Sequence, residues 1–358
     1  MGDELLVYGA YGYTGTLIAR HAADEGRSPS VAGRTAAKVE RLATELGFDH
    51  RVFGLEQPSV VERQLADFDA VLNCAGPFAE TADPLIEACL ATGTDYLDIT
   101  GRIDVLESTA ARDEAAADAG VTLLPAVGFD VVVTDCLAAY LARRLDSATR
   151  LRLALDGLAS FSPGTIKSII GGLSTPGAIR RHGEIRSVPP AYETRRFDFG
   201  AGPTPAVTIP WGDVATAYYT TGIENVTTYA AVPKYAVPML RTSRPLAGLL
   251  GAEPTRRALT AIADAVVSGP TPAERARHSV RVYGEVEDDA GDRAGALLRT
   301  PDPYDVTAET AVACARRVDE VAAGFRTPGM AFGPDFPLGF EGIDRDDADD
   351  RAIVETDE

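Results

Sequence analysis

A glycine-rich turn near the start of the chain has the spacing of a loop that holds a diphosphate. The apolar residues 5–8 run directly into Gly9-Ala10-Tyr11-Gly12-Tyr13-Thr14-Gly15, and an amphipathic stretch follows. Gly9 suits a tight turn, Gly12 leaves room for a phosphate, and Gly15 lets the next helix pack against the strand. Backbone N–H groups at the start of such a helix bind anions. The turn therefore predicts a dinucleotide site that includes Gly9, Tyr11, Gly12, Tyr13, Thr14 and Gly15.

The end of the second predicted strand indicates which dinucleotide binds. NAD sites carry an acidic residue about 20 residues beyond the glycine turn, where it binds the ribose hydroxyls. In this chain the strand ends Val31-Ala32-Gly33-Arg34-Thr35, and Lys38 follows. An arginine can bind a 2′-phosphate through two hydrogen bonds, whereas the alternative is a solvent-facing side chain. Arg34, Thr35 and Lys38 therefore predict NADP rather than NAD as the cofactor.

Polar residues follow three further strands, at the edge where a parallel α/β sheet binds its ligands. The sequence Asn73-Cys74-Ala75-Gly76-Pro77 follows the fourth strand and is predicted to cover the cofactor near its nicotinamide ribose. Tyr96 and Asp98 end the fifth strand, and Asp130 follows the sixth. All three are candidate proton donors, although Asp98 could instead cap the next turn and Asp130 could hydrogen-bond its own loop. His182 is a fourth candidate, with a competing role as a charge at the end of a helix.

Several other chemistries lack their residues in this sequence. Lysine occurs only at positions 38, 167 and 234, and none has a tyrosine four residues before it, as the Tyr-x-x-x-Lys pair of short-chain dehydrogenases requires. The four histidines are scattered far from the cysteines, which disfavours a zinc site. The Gly-x-x-x-x-Gly-Lys sequence of phosphoryl-transfer enzymes is absent. Hydride transfer with a side-chain proton donor remains, and no metal is predicted.

Strands and helices alternate strictly through the first 145 residues, which predicts an α/β domain with a doubly wound parallel sheet of the Rossmann type. The predicted strands cover 4–8, 30–32, 50–53, 70–73, 95–98 and 121–125. The predicted helices cover 14–25, 35–46, 59–66, 81–91, 103–119 and 134–145. Farther along, runs at 195–199, 206–209 and 225–231 and a hairpin of 279–287 with 293–299 predict a second, mixed-sheet α+β domain. Later helices are predicted at 165–181, 254–267 and 308–323.

Composition narrows the class of partner and environment. The 358 residues include 34 Lys plus Arg and 53 Asp plus Glu, a formal net charge of −19. This charge disfavours nucleic acid as a partner, and most acidic residues are expected to be solvated. An acid-rich, lysine-poor composition is typical of salt-loving microbes, because salt screens the self-repulsion. Unclustered cysteines, no basic leader and no apolar run of roughly 18 residues predict a cytoplasmic protein.

The segment of residues 235–250 differs from this acidic background. It contains Pro238, Pro245, Arg241 and Arg244 and no acidic residue. Prolines divide it into short pieces, which is typical of a movable cover, here over a long apolar substrate. A membrane-surface contact, an oligomer interface and a core helix are the alternatives. We expect this segment to govern which substrate is accepted.

Several motifs at both ends of the chain match one protein family. They are the glycine turn at 9–15, Ala-Gly-Arg at 32–34, Asn-Cys-Ala-Gly-Pro-Phe at 73–78, Asp-Tyr-Leu-Asp-Ile-Thr-Gly at 95–101, Gly-Phe-Asp at 128–130, Tyr-Asp-Val-Thr-Ala-Glu-Thr-Ala at 304–311 and Thr-Pro-Gly-Met-Ala-Phe-Gly at 327–333. With these motifs the chain resembles the saccharopine dehydrogenase-like oxidoreductases, in particular the trans-acting enoyl reductases. Two departures, Arg102 and residues 131–133, lie where substrate should meet the nicotinamide.

The resemblance implies an NADP-binding Rossmann domain, an inserted substrate domain and a carboxyl-terminal helix that returns to the first domain. The expected boundaries are 1–145 for the Rossmann domain, with 304–343 returning to it, and 146–303 for a substrate and oligomerisation domain. The acidic residues 344–358 are expected to form a disordered tail. The returning helix places small apolar residues at helical spacing, which suits close packing on the first domain.

The sequence and the resemblance together predict an NADP-dependent oxidoreductase. It would transfer hydride to a C=C or C=N bond of an apolar, lipid-like small molecule. Two alternatives stay open: an NADP-binding protein without turnover that associates with lipid or membrane, and an amino-acid reductase. The reductase would clamp carboxylates with arginines, for which the candidates are Arg180, Arg181, Arg195 and Arg196. A homodimer with a peripheral membrane contact is the expected assembly.

Overall fold

A computed structural model describes residues 4–158, 176–238, 255, 269–349 and 354–355. These residues fall into two units, one within Met1–Val132 and Pro303–Phe332 and the other within Val133–Asp302 and Gly333–Glu358. The division lies inside a helix, after Val132, and not near residue 145 as expected. The expected returning segment 304–343 is likewise shared, because residues from Gly333 onward belong to the second unit. The predicted helix at 254–267 and most of the segment 235–250 lie outside the described residues, Thr255 and residues 235–238 excepted.

The first unit begins with the strictly alternating pattern that the sequence predicts. Its first strands are β1 (Leu5–Tyr8), β2 (Ser30–Gly33), β3 (His50–Val52), β4 (Ala70–Asn73), β5 (Asp95–Asp98) and β6 (Thr122–Leu124). The helices are α1 (Tyr13–Asp24), α2 (Ala36–Leu46), α3 (Pro58–Leu65), α4 (Phe78–Thr92), α5 (Ile103–Ala110) and α6 (Asp113–Ala119). The next helix, α7 (Phe129–Arg144), begins in this unit and belongs to the second unit from Val133 onward. The prediction of one helix at 103–119 is wrong, because the chain turns at Ala111–Arg112 and separates α5 from α6. The predicted α/β class is confirmed.

The second unit is built on a mixed sheet. Its strands begin with β7 (Arg150–Asp156), β8 (Gly177–Arg181), β9 (Glu184–Val188), β10 (Thr194–Asp198), β11 (Pro203–Thr208), β12 (Asn225–Ala231), β13 (Val280–Glu287) and β14 (Arg293–Thr300). Its described helices are α8 (Asp213–Thr221) and the short α9 (Pro272–Arg275). The strands β7 and β12 are parallel, whereas β13 pairs with β7 and with β14 in the antiparallel sense. The predicted α+β character of this unit is therefore present.

The predicted helix at 165–181 is wrong over its last residues. Gly177–Arg181 is the strand β8, which forms an antiparallel hairpin with β9. His182 and Gly183 make the turn, with positive φ angles of 51° and 76°, and the backbone N–H of His182 donates to the side chain of Asn225. His182 is therefore not a charge at the end of a helix. The remaining residues of the prediction that precede 176 lie outside the described part.

After β14 the chain re-enters the first unit. It forms α10 (Pro303–Arg316), β15 (Gly324–Phe325) and α11 (Pro328–Phe332). The helix α10 packs along α1, and β15 adds to β6 as a parallel strand. The first sheet therefore has the strand order β15-β6-β5-β4-β1-β2-β3. The predicted helix 308–323 begins earlier and ends earlier than expected, because a short 3-10 turn at Val318–Glu320 leads into β15.

In the acidic end of the chain, the described residues 344–347 and 354–355 form strands and not the disordered tail that the composition predicts. Asp344–Asp347 forms β16, which pairs with β14, and Val354–Glu355 forms β17, which pairs with β10. The guanidinium of Arg299 lies 2.6 Å from a carboxylate oxygen of Asp344 and 2.8 Å from one of Asp346. Arg144 makes ion pairs with Asp347 and Asp349. Arginines from distant positions thus offset the repulsion that suggested disorder.

Each unit has its own core. Successive residues of β1 enter opposite layers of the first unit, since Leu6 packs with Leu85 and Val7 packs with Leu42. This burial on both faces is typical of a parallel sheet covered by helices. In the second unit the ring of Phe197 lies 5.0 Å from that of Tyr229 and 5.9 Å from that of Tyr283, measured between centroids. Among the described helices, none combines the length and apolar character needed to cross a bilayer.

Gly284 generates a prediction about packing in the second unit. A Cβ at Gly284 would lie 2.6 Å from Cδ1 of Leu141 and 3.0 Å from Cδ2 of Leu137, both on α7. Because overpacking a core costs about 1–3 kcal/mol, we expect Gly284→Ala to lower the free energy of unfolding by that amount. Urea denaturation of Gly284→Ala and Gly339→Ala compares this site with an exposed glycine of the same unit that has open space around it and no positive φ. Combining Gly284→Ala with Leu141→Ala should cost less than the sum of the two single changes, and strict additivity would contradict the close contact.

Candidate functional site

The glycine turn joins β1 to α1, and its glycines meet separate steric requirements. Gly9 has φ +79°, and a Cβ there would lie 2.7 Å from backbone atoms of Ala75. A Cβ on Gly15 would lie 2.6 Å from the carbonyl oxygen of Gly9, so α1 approaches the strand only because this side chain is missing. Gly12 caps the start of α1 with no side-chain hydrogen bond. The result is a bare helix N-terminus of the kind that accepts a diphosphate.

The end of β2 places two cations and a hydroxyl group beside this turn. Arg34, Thr35 and Lys38 are all exposed. The phenol of Tyr11 lies over Gly33, where a Cβ would be 2.5 Å from the ring, and its hydroxyl donates to Thr35 Oγ1 at 3.3 Å. The Lys38 ammonium lies 5.5 Å from the centroid of the same ring. The exposed cations Arg34 and Lys38 fit the 2′-phosphate of NADP. Arg34 stands where NAD-binding domains carry an acidic residue.

Asn73, the buried last residue of β4, holds the loop that follows this strand. The Asn73 side chain is fully buried; its oxygen accepts from the Ala75 N–H at 3.0 Å, and its nitrogen donates to Tyr96 and Thr81. Asn73 therefore shapes the loop that carries the predicted Ala75, Gly76 and Pro77. In this loop Gly76 and Pro77 are exposed. Burial raises the pKa of the Cys74 thiol, which argues against a nucleophilic role.

A buried carboxylate ties the carboxyl ends of three strands together. Asp98 ends β5 and is fully buried. Its Oδ1 accepts the N–H groups of Thr100 at 3.0 Å and of Ala126 at 2.8 Å, and its Oδ2 accepts the Tyr96 hydroxyl at 2.8 Å. Since Tyr96 also accepts a hydrogen bond from Asn73, the network spans β4, β5 and the loop after β6. Asp98 thus makes the turn contact that the sequence offered as its alternative role.

Asp98 also supports a strained residue and titrates unusually. Ala126 has φ +60°, in a region that side chains other than glycine rarely adopt. Its hydrogen bond to Asp98 helps to hold that conformation. Burial raises the pKa of Asp98 to about 6, although the hydrogen bonds from Ala126, Thr100 and Tyr96 oppose the shift. The carboxyl group is therefore close to its titration range under mildly acidic conditions.

Asp130 differs from the other two candidate proton donors. Tyr96 and Asp98 are both 0% exposed, whereas Asp130 is exposed at the first turn of α7, after β6. One oxygen of Asp130 would lie 3.0 Å from a Cβ at Gly101, so this side chain reaches the loop that follows β5. Nearby protein atoms raise the pKa of its carboxyl group above that of a free aspartate. Asp130 is therefore an accessible acid at this edge.

The arginines proposed as carboxylate clamps lie in the second unit. Arg180 is buried, donates to the carbonyl oxygens of Val214 and Gly183, and stacks 4.4 Å from the centroid of Tyr218. Arg195 contacts Glu193 at 3.4 Å. Both guanidinium groups therefore already have protein partners.

Three residues of the first unit's network were missed by the sequence analysis. Thr81 accepts from Asn73, Ala126 donates to Asp98, and Thr307 of α10 accepts from Phe129. Thr307 lies inside the motif at 304–311, so the motif carried a signal without indicating its partner. Thr81 and Ala126 have no sequence feature that marks them, because only the fold brings them next to Asn73 and Asp98.

The family comparison covers most of the amino-terminal part of the first unit. Residues 5–124 match the model of the family described as saccharopine dehydrogenase NADP binding domain. This range contains the glycine turn, Arg34 and the Asn73–Asp98 pair. Residues 5–124 are therefore similar to an NADP-binding domain of that family, which supports NADP(H) as the cofactor.

Curated relatives match the chain in part. A saccharopine dehydrogenase-like oxidoreductase of Homo sapiens is 27% identical over 216 residues, which is 52% of this chain and 50% of that protein. A trans-acting enoyl reductase of Mycobacterium bovis is 32% identical over 149 residues, covering 39% of this chain and 36% of that protein. The chain spans about half the length of the curated relatives it matches, or less.

A solved structure resembles nearly the whole chain. Apo saccharopine dehydrogenase (L-Glu forming) of Saccharomyces cerevisiae covers 97% of this chain and 100% of its own, with a TM-score of 0.65 and 15% sequence identity. At this identity the likeness concerns the fold. The chain therefore has the fold of that dehydrogenase, with a Rossmann sheet and a second mixed-sheet unit.

Arg34 generates the first prediction for this site. If its guanidinium binds the 2′-phosphate, Arg34→Ala should weaken NADPH binding by about ten- to a hundredfold, equivalent to about 1.5–3 kcal/mol, and should leave NADH binding nearly unchanged. Isothermal titration of both nucleotides against wild type and variant measures the change. Arg63→Ala removes an exposed arginine on α3 and is the matched control. Equal affinities of the wild-type protein for NADPH and NADH would contradict the role of Arg34.

Asp98 generates a prediction about the pH dependence of stability. An unfolded aspartate titrates near pH 4, whereas Asp98 in the folded protein titrates at about 6. The folded state therefore binds more protons between these values, and this group's contribution to stability falls as the pH rises. We expect the free energy of unfolding of the wild type, relative to Asp98→Asn, to fall by roughly 2–3 kcal/mol from pH 4 to pH 7. Urea titrations at both pH values test this.

Asn is a suitable replacement because its oxygen can still accept two N–H groups and its nitrogen can donate to Tyr96. Asp104→Asn, at a mostly exposed carboxylate, is the control. A wild-type-to-variant difference that does not change with pH would show that Asp98 is not desolvated as described.

Proposed function

We propose that the protein is an NADP-dependent oxidoreductase that reduces a C=C or C=N bond of an apolar small molecule. The NADP-binding domain and the names of the two curated relatives, an oxidoreductase and an enoyl reductase, support this proposal. NADPH supplies the hydride when it is bound. The protein must then hold the substrate, exclude water and provide a proton, and these tasks fall to its own residues.

The observation that carries the proposal is the accessible acid at the carboxyl edge of the sheet. Asp130 is exposed beside Gly101, and its raised pKa makes it a better proton donor near neutral pH than an ordinary aspartate. A carboxylic acid with a pKa near the working pH is an effective proton donor. Tyr96 and Asp98, which are fully buried, instead fix the loops around this edge. We assign proton donation to Asp130 and positioning to Tyr96 and Asp98.

Two of the four arginines on which the amino-acid reductase alternative depends already have protein partners. Arg180 is engaged by two carbonyl oxygens and an aromatic ring, and Arg195 by Glu193. A carboxylate substrate would have to displace these contacts. The role of the apolar segment 235–250 as a cover over a long apolar substrate stays a prediction. The homodimer and the peripheral membrane contact also stay predictions.

The test follows NADPH oxidation by the full chain with three substrates. These are a long-chain trans-2-enoyl thioester, a short-chain trans-2-enoyl thioester and a cyclic imine that carries a carboxylate. We expect the long-chain thioester to be reduced with the highest kcat/KM, because an apolar site gains free energy with each buried methylene. If none of the three oxidises NADPH although NADPH binds, the non-catalytic alternative replaces this proposal. Preference for the imine would favour the amino-acid reductase.

Asp130→Asn tests the proton donor within the same assay. We expect kcat to fall by about a hundredfold or more, while the NADPH dissociation constant changes less than about twofold. In the wild type the rate should decline as the pH rises through about 6, because the protonated form is the active one, and the variant should lose this decline. Asp118→Asn, at an exposed residue of α6, is the control. An unchanged pH profile in Asp130→Asn would remove Asp130 from the reaction.

A further inference from the structure

The first turn of α10 contacts the glycine turn, although the two are almost 300 residues apart. Tyr304 is 9% exposed. Its ring meets that of Tyr13 edge-on, with centroids 5.0 Å apart and an interplanar angle of 82°. Tyr13 is the first residue of α1 and belongs to the glycine turn. An edge-to-face pair of this kind is directional as well as apolar, so it fixes one ring relative to the other.

The next turn of α10 contacts the loop that carries Asp130. Thr307 Oγ1 accepts the N–H of Phe129 at 3.0 Å, and a Cβ at Gly128 would lie 3.1 Å from the methyl group of Thr307. Thr310 Oγ1 donates to the carbonyl oxygen of Val127 at 2.8 Å. The residues immediately before Asp130 are therefore held from α10 on both their N–H and C=O sides.

The hydrogen bond to Phe129 sets where α7 begins. Phe129 is the first residue of α7, and the first N–H groups of a helix have no partner within the helix. Thr307 supplies such a partner for Phe129, and Asp130 is the next residue. The position of Thr307 thus fixes the first turn of α7 and the direction in which Asp130 leaves the backbone.

We propose that Tyr304 and Thr307 are positioning residues that make α10 a rigid link from the glycine turn to Asp130. They lie three residues apart, on one face of the helix. Occupation of the diphosphate part of the cofactor site, which fixes Tyr13, then also fixes Asp130 before a substrate arrives. The link rests on the proposed function only for the role of Asp130, since the contacts themselves lie in the NADP-binding unit.

Amide hydrogen exchange with a truncated nucleotide tests the link. The probe is 2′-phospho-ADP, which has the adenosine, the 2′-phosphate and the diphosphate of NADP but neither the nicotinamide nor its ribose. It cannot contact the Asp130 loop through a nicotinamide ring, so an effect there has to pass through the protein. At saturating probe we expect exchange at Phe129, and in the first turns of α10, to slow at least threefold in the wild type.

Variants locate the link. Tyr304→Leu removes the edge-to-face pair and should abolish the slowing at Phe129 at full occupancy, whereas Tyr304→Phe keeps the ring and should retain it. Thr307→Val removes the acceptor and should also abolish the slowing, whereas Thr307→Ser should retain it. Slowing of equal size in wild type, Tyr304→Leu and Thr307→Val would overturn the proposal. So would unchanged exchange at Phe129 in wild type with the probe bound.

Comparing kcat with the NADPH dissociation constant separates a positioning role of Thr307 from a general effect on stability. We expect Thr307→Val to lower kcat about tenfold with an NADPH dissociation constant within twofold of wild type, and Thr307→Ser to restore kcat. Equal kcat values for Thr307→Val and wild type would overturn the role of Thr307 even if the reductase activity exists. If the wild type does not bind the probe, the cofactor assignment fails first and the link fails with it.

Discussion

The fully buried carboxylate of Asp98 is the constraint on which the cofactor edge of the first unit depends. A charged or neutral carboxyl group without water must find hydrogen-bond partners in the protein, because leaving one unsatisfied costs several kcal/mol. Asp98 finds them in Thr100, Ala126 and Tyr96. These partners come from the loops after β5 and β6 and from β5 itself. The loops that surround the cofactor edge are therefore held by a group that does not touch solvent.

This arrangement separates the site's rigid part from its reactive part. Asn73, Tyr96 and Asp98 form a buried chain of hydrogen bonds, and the side chains that can meet a ligand, among them Arg34, Lys38 and Asp130, lie around it on the surface. In such a site the packed supporting groups keep the geometry fixed. The side chains that contact the ligand can therefore lie on the surface without becoming disordered. Of the two candidate acids in the sequence, Asp98 has a structural role and Asp130 is accessible.

Local patterns were enough to predict the parallel sheet. Glycine spacing, strand-helix alternation and the basic end of β2 are all encoded within about 35 residues, so α1, α2 and the cofactor type could be predicted. Contacts between distant residues could not be predicted from such local patterns.

The strand β16 forms because Arg299 and Arg144 neutralise its aspartates, and composition alone predicted disorder there. The strand β8 was mistaken for the end of a helix because its pairing with β12 has no local signature. Burial separated Asp98 from Asp130, and a sequence does not report burial of single acids.

The late addition of β15 to the first sheet has a consequence for biosynthesis. Thr122 and Leu123 of β6 pair with Gly324 and Phe325, about 200 residues farther along. On the ribosome the outer edge of β6 therefore lacks its partner β15 until residues 133–325 have been translated. An open strand edge is a template for pairing with other chains. A nascent chain that stops within residues 133–323 therefore leaves this edge of the first sheet open to pairing with other chains.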